Sequence, residues 1–266
     1  MDETLLRWLR LREAADARAR ADALTRRIMD ALPPRGPLRV LDLATGAGSN
    51  VRYLAPRLPR PQQWVVVDRN AELLADLRAR TTRLDIEIDT RQMDLGSLDP
   101  ALFERRHLVT ASALLDLVSG AWLRSLAQHC RAAGAAALFT ITYNGRSSCE
   151  PPEPEDDWVR DLLNRHQKRD KGLGGPAEGP DAVACAQRCF AEAGYRVECA
   201  PSDWRLGPDQ TAMQRMLIDG WAEAAGEMAP ERAPAVAGWR ARRLAHLDAG
   251  RSHILVGHDD LAAWRS

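Results

Sequence analysis

The stretch VLDLATGAGSN, from Val40 to Asn50, holds the most informative chemistry of the chain. Val40, Leu41 and Leu43 read as a short buried strand carrying one charge, Asp42. The small residues Ala44, Thr45, Gly46, Ala47 and Gly48 read as a tight turn, and a helix is expected to open with Ser49 or Asn50 as its cap. A strand that breaks into a glycine turn and feeds a helix brings backbone N–H groups close to a ligand. The spacing Ala44-x-Gly46-x-Gly48 lacks the third glycine of the dinucleotide fingerprint G-x-G-x-x-G. That absence counts against an NAD-dependent oxidoreductase.

A second concentration of reactive groups lies in HQKRDKG. It holds His166, Lys168, Asp170 and Lys171. His166 is the most useful general base near neutral pH. Lys168 and Lys171 are the only lysines in a chain whose other basic residues are all arginine. Gly172, Gly174 and Gly175 follow at once, so this stretch is expected to form a substrate lid. Tyr143 and Asn144 end an apolar run and add polar groups at another strand end. Cys185 and Cys189 stand one helical turn apart, but no second Cys or His pair sits nearby at zinc-site spacing, so no metal site is expected.

The elements that must hold these groups alternate. Strands are expected over 39–43, 64–68, 84–91, 107–113 and 135–143, with helices over 50–58, 71–80 and 121–132 between them. Such alternation predicts an α/β fold, a parallel sheet with helices on both faces. Before it, residues 3–31 read as one long amphipathic helix stopped by Pro33-Pro34. After it come an acidic, proline-rich loop over 150–157 and a charged helix over 158–171. Further helices are expected from Pro180-Asp181, from Pro208-Asp209 and over 230–247, with late strands over 195–200 and 252–257. Ser202-Asp203-Trp204-Arg205 either lines the same cavity as that lid or, the preferred reading, is a packing tryptophan with a surface turn.

Composition narrows the function. Acidic and basic residues balance at 37 each, where a nucleic-acid or membrane-surface binder normally carries a basic excess. No apolar run is long enough to span a bilayer, and no secretory signal is visible. Five cysteines, an odd number, suggest reduced thiols and a cytoplasmic location.

An acidic strand residue followed by a small-residue turn of this spacing resembles motif I of class I S-adenosylmethionine-dependent methyltransferases. The usual form there is an acidic residue and then G-x-G-x-G. Here Ala44 stands at the first glycine position, a place alanine can fill if it keeps negative φ. The resemblance implies that Asp42, Ala44, Thr45, Gly46, Gly48 and Asn50 bind the cofactor. It places Asp68, at the end of WVVVD and followed by Arg69, on the two ribose hydroxyls, a task suited to a carboxylate. It places Asp94 near the adenine amine, with Met93 or Leu95 on the ring face. In HLVTASALLDLVS it sets Ala111 and Ser112 beside the cofactor. Asp116 then holds the cofactor's amino group, meets substrate or caps the next helix. In many members an N-terminal helix closes over the cofactor, and Trp8, Arg12 or Asp16 would then reach substrate; packing on the sheet or a dimer interface is the other reading. The Pro-Pro-aromatic and Pro-Cys motifs of nucleobase methylation are missing, which argues against nucleic acid.

The expected fold is a seven-stranded Rossmann-like sheet of order 3-2-1-4-5-7-6, strand 7 antiparallel. Residues 1–36 form a helical cap and 37–266 the cofactor-binding domain, with the insertion 144–180 as a substrate cap. The expected reaction is methyl transfer from S-adenosylmethionine to the O, N or C of a small molecule, leaving S-adenosylhomocysteine, by a monomer or homodimer. The candidate catalytic residues are His166, Tyr143, Asp116 and Lys168. A different transfer from the same pocket (an aminopropyl group), the oxidoreductase and a non-catalytic binding protein are the alternatives.

Overall fold

Consecutive buried β-branched and leucine residues make the central strands two-faced, as a sheet covered on both sides requires. The computed structural model describes residues 3–33 and 36–265. Its strands are β1 (Leu38–Leu43), β2 (Gln62–Asp68), β3 (Glu87–Gln92), β4 (Leu108–Ser112), β5 (Ala136–Glu150), β6 (Arg196–Pro201), β7 (Trp204–Leu206) and β8 (His253–Trp264). They form one sheet of order β3-β2-β1-β4-β5-β8-β6, with β7 also paired to β8. The first five run parallel, and β8 is antiparallel to β5, β6 and β7. This is the expected order with one addition, the short strand β7, which makes the last strand the eighth.

The helices are α1 (Glu3–Ala19), α2 (Asp22–Ala31), α3 (Ser49–Leu54), α4 (Ala71–Thr81), α5 (Gly120–Ala133), α6 (Asp156–Gln167), α7 (Ala182–Glu192), α8 (Thr211–Met228) and α9 (Ala233–Asp248). Three clusters of apolar side chains divide the interior. One joins α5 and α7 to one face of the sheet, and another joins α2, α3 and α4 to the opposite face. The third packs α6, α8 and α9 on the outer parts of β5 and β8.

Three expectations need correction. The single N-terminal helix is two, because the Ala21 N–H donates at 2.9 Å to Asp260 of β8 and the chain bends there. Pro34, half of its expected stop, lies outside the described residues; α2 itself ends at Ala31. The fifth strand does not end at Tyr143 but continues to Glu150 through two register shifts against β8, so the insertion 144–180 begins as sheet. Finally, Trp204 packs in the interior as expected, but it belongs to strand β7 rather than to a turn.

The layer of α6, α8 and α9 is tied to the sheet extension by a buried ion pair. Arg243, fully buried, donates Nε and Nη2 to the two oxygens of Asp156 and Nη1 to the Pro151 carbonyl. Trp239 adds its indole N–H to the same carboxylate at 2.8 Å. Such a pair is stable because every donor in the fork finds an oxygen.

Candidate functional site

The sheet order reverses between β1 and β4, and the crevice beyond the carboxyl ends of those strands is where open α/β sheets bind ligands. Asp42 lies at that point, fully buried. It accepts from the Thr45 hydroxyl at 2.5 Å and from the Asn50 amide at 2.6 Å. Burial pushes its carboxyl up to about 6, against the pull of those two donors. The lock shapes the turn. Gly46 donates its N–H to Asp68 at 2.8 Å and Thr45 its N–H to the Val67 carbonyl at 2.9 Å, so β1's turn is fastened to the end of β2.

Two details of the turn differ from expectation. Ala44 has φ +49°, not negative, so it occupies the left-handed region that L-residues avoid. The helix cap is Gly48, with no side-chain capping bond, because Asn50 instead turns inward to Asp42 and Thr110. Gly48 itself is doubly required. Its φ is +80°, and a Cβ there would come within 2.6 Å of Leu77 on α4.

Two adjoining cavities open over these strand ends. The first, about 270 Å³, is floored by Asp42, Thr45, Gly46 and Ser112 and roofed by Leu9, Arg12 and Asp16 of α1. The second, about 350 Å³, is lined by Met93, Asp94, Leu95, Lys171 and Leu173. Ala44, Asp68, Arg69, Leu114 and Leu117 line both, so Asp68 stands where they meet. Its oxygens accept from Gly46 and Asn70 backbone amides, which fixes the carboxylate's direction.

Behind the first cavity is a buried polar group of a different kind. Asp16 accepts from Arg12 Nε and from the Trp204 indole, each at 3.0 Å. Arg12 lies 5.9 Å from the Trp8 ring and 5.0 Å from the Trp204 ring. Arg12 acts electrostatically on both Asp116 and His258. Arg12 Nη2, Ser112 Oγ, Asp116 Oδ1 and His258 Nδ1 are all buried without a hydrogen-bond partner. Buried polar atoms left unpaired in one region are the exception in folded proteins and point to a missing partner. Desolvation raises the Asp116 carboxyl to about 6 and lowers His258 to about 3. His258 is therefore neutral and a poor base, whereas Asp116 ionises just below neutral pH.

The remaining expected site residues are spread more widely. Asp42, Ala44, Thr45, Gly46, Asn50, Asp68, Arg69, Met93, Asp94, Leu95 and Ser112 all line one or both cavities. Gly48 and Ala111 lie behind that lining, and Ala111 is buried in the sheet. His166 does not reach either cavity; its Nε2 faces Glu227 at 3.3 Å. Lys168 pairs with Asp181 at 2.6 Å on the surface. Tyr143 is buried and donates its hydroxyl to Asn164 at 2.8 Å, with burial pushing that hydroxyl well above the usual tyrosine range. Ion pairing draws the first two away, and packing against α6 holds the third. From HQKRDKG and the glycines after it, only Lys171 and Leu173 reach the second cavity. Sequence reasoning passed over His258, whose only signal was its place near the end of a strand, and preferred a packing role for Trp204. Cys185 and Cys189 are buried on α7.

Residues 40–134 match the family model described as "Methyltransferase domain". That stretch is similar to a methyltransferase domain. The chain's sheet order is the one that the resemblance to class I S-adenosylmethionine-dependent methyltransferases implies, with an acidic residue ahead of the turn. Among solved structures, the cyclopropane synthase MmaA2 from Mycobacterium tuberculosis is similar in fold. The two share 11% identity over 91% of this chain and 83% of that one, with a TM-score of 0.50. The YcgJ protein from Bacillus subtilis is 15% identical over 92% of this chain and all of its own, also with a TM-score of 0.50. No curated protein sequence matches significantly. The two cavities supply groups that suit S-adenosylmethionine. Asp68 offers a carboxylate for adjacent hydroxyls, and Met93 and Leu95 offer an apolar face beside the Asp94 acceptor. Among the described residues, no helix is long and apolar enough to cross a membrane.

Proposed function

We propose that this chain transfers the methyl group of S-adenosylmethionine to a small-molecule acceptor entering beneath α1. The observation that carries the reading is the position of Asp68, a fixed carboxylate at the junction of a polar and a more apolar cavity. Adenosine has the matching sequence of groups, with a ribose diol between the flat base and the polar chain. Asp68 binds that diol; Met93, Asp94 and Leu95 hold the base; Asp42, Thr45, Gly46 and Ser112 surround the other end.

The bound cofactor supplies an electrophilic methyl group; the chain's task is to align the acceptor and exclude water. Leu5 and Leu9 of α1 cover the first cavity and keep water out. Asp116, just behind the lining residues Leu114 and Leu117, takes the proton that an O–H or N–H acceptor loses, since it is buried, unpartnered at Oδ1 and ionised at neutral pH. The backbone of Tyr143 hydrogen-bonds Asp116 from β5, while His166 and Lys168 have no part in it. Cavities of a few hundred Å³ and the zero net charge favour a small acceptor over nucleic acid. Helix α1 serves as the cap. The 144–180 insertion contributes Lys171 and Leu173 on the base side, and the buried thiols fit a cytoplasmic location.

Calorimetric titration tests the cofactor assignment. S-adenosylhomocysteine is expected to bind and NAD not to. Asp68→Ala is expected to weaken S-adenosylhomocysteine by about 10- to 100-fold, the loss of hydrogen bonds to a charged acceptor. Equal affinity in the two proteins would sink the reading.

A further inference from the structure

The stretch from Asp170 to Pro176 walls the second cavity, and close contacts hold it there. The Leu173 carbonyl accepts from the Ser119 N–H, at the start of α5, at 3.2 Å. The Gly172 carbonyl packs against Gly96, where an added Cβ would lie only 3.0 Å from it. Trp122 of α5 ties the same turn from below, donating its indole N–H to the Leu95 carbonyl at 2.7 Å. The cavity is thus bounded by Lys171 and Leu173 from beyond α6 and by Met93, Asp94 and Leu95 from the turn after β3.

The charges on this lining are not spent on each other. Lys168 pairs with Asp181 on the surface, whereas Lys171 is half-buried and makes no hydrogen bond or ion pair among the described residues. Glu227 and Asp116 act on Lys171 only at a distance, and Glu227 is already engaged by Arg169 and His166. Desolvation lowers the Lys171 ammonium, and no protein oxygen offsets that cost by direct pairing. One Asp94 oxygen accepts from the Gly96 N–H at 2.6 Å; the other meets no donor among the described residues. Arg69, the other cation of this lining, also borders the first cavity and so stands at the junction, next to Asp68.

An ionised carboxylate only accepts and an ammonium only donates. Kept apart on a largely apolar lining, the two suit a flat ring whose edge carries a donor and an acceptor. Adenine has that edge, an exocyclic amine beside ring nitrogens with free lone pairs. A base with a carbonyl in place of the amine would set oxygen against the Asp94 carboxylate. We propose that Lys171 donates a hydrogen bond to a ring nitrogen of the adenine whose amine meets Asp94, so that a residue from beyond α6 reads the cofactor's base. This assignment rests on the function proposed above.

The test measures affinities of wild type and Lys171→Met for S-adenosylhomocysteine and for its 1-deaza, 3-deaza and 7-deaza analogues, each with one ring nitrogen replaced by C–H. Lys171→Met is expected to weaken S-adenosylhomocysteine by about 10- to 100-fold, the loss of a charge-assisted bond. One deaza analogue is expected to bind wild type weakly and to bind the variant equally weakly, because the bond is already missing. The other two should lose as much as S-adenosylhomocysteine does. The proposal is overturned if the variant leaves S-adenosylhomocysteine unchanged. It is equally overturned if the variant weakens all four ligands by one factor, since the lysine would then act through packing. Failure of S-adenosylhomocysteine to bind wild type would remove the proposed function and this assignment together. Should Lys171→Met not fold, Lys171→Ala is read against the same four ligands.

Discussion

Asp116 is held in a state that costs stability. In the unfolded chain its carboxyl ionises at the ordinary aspartate value of 3.8, and in the fold burial raises it to about 6. Below about pH 4 both states carry the proton and no penalty exists. Between those values the unfolded chain has released its proton and the folded one has not, so stability falls as pH rises and the full penalty is present above about pH 7. Asp116→Asn removes it. The variant is expected to gain up to about 3 kcal/mol over wild type at pH 8, a gain that shrinks toward zero near pH 4. Paired urea titrations at both pH values measure this. Asp42, raised to about 6 by the same cause, contributes equally to both proteins and cancels in the comparison. The proposed role predicts the opposite effect on turnover, a loss of about 10²- to 10⁴-fold. Wild-type kcat/KM should rise through pH 6 and the variant's should not. A variant that is more stable and equally active would leave Asp116 a buried acid with no part in proton transfer.

At the scale of elements, Asp260 joins parts of the chain that local sequence cannot connect. One oxygen accepts from Ala21 at the α1–α2 bend and the other from Ile141 at the bulge of β5. Ile141 has φ +55°, a conformation unfavourable for a β-branched side chain, and its N–H bond to Asp260 is part of what holds it there. Asp260→Asn keeps the shape but sets an amide NH₂ against one of these N–H donors. A destabilisation of about 1–3 kcal/mol is expected in urea titrations, together with weaker S-adenosylhomocysteine binding as α1 loses its anchor. Unchanged stability would show that the bend stands without it. The same residue explains what sequence could and could not disclose. Asp42, Gly46, Gly48 and Asp68 were legible because strand, turn and helix follow one another locally, each with its own residue preferences. The break in the N-terminal helix was not, because its cause lies 239 residues away. Nor was the length of β5, set by pairing with β8, or the backbone of Ala44, fixed by bonds from its neighbours to β2. His166 and Lys168 drew attention by residue type alone; tertiary ion pairs with Glu227 and Asp181 decide where they point.

Across the whole molecule, the site is enclosed by two pieces that are far apart in sequence and attached by different means. Helix α1 roofs the first cavity and is held by Asp260 at its end, by Arg52–Glu13 and Arg10–Asp76 ion pairs, and by the Asp16–Trp204 bond. The stretch carrying Lys171 and Leu173 edges the second and is held by the Asp170–Pro176 bridge and a bond from the Ser119 N–H to the Leu173 carbonyl. By contrast, α6, α8 and α9 make up most of an apolar cluster that α1 joins only at its edge, through Ala15, Trp8 and Ala19; they also hold the buried Arg243–Asp156 pair and line neither cavity. Opening free energies vary across a fold, and the segments that admit ligands come from the weakly held end of that range. Hydrogen exchange with and without S-adenosylhomocysteine should therefore divide the chain. Protection of residues 4–19 and 170–176 is expected to rise about tenfold or more on binding, because each must open for the ligand to leave. Backbone amides in α8 and α9 should exchange at nearly the same rate in both states. If protection instead rose evenly over all helices, ligand binding would be stabilising the molecule globally, and α1 would be a fixed wall rather than a moving cap.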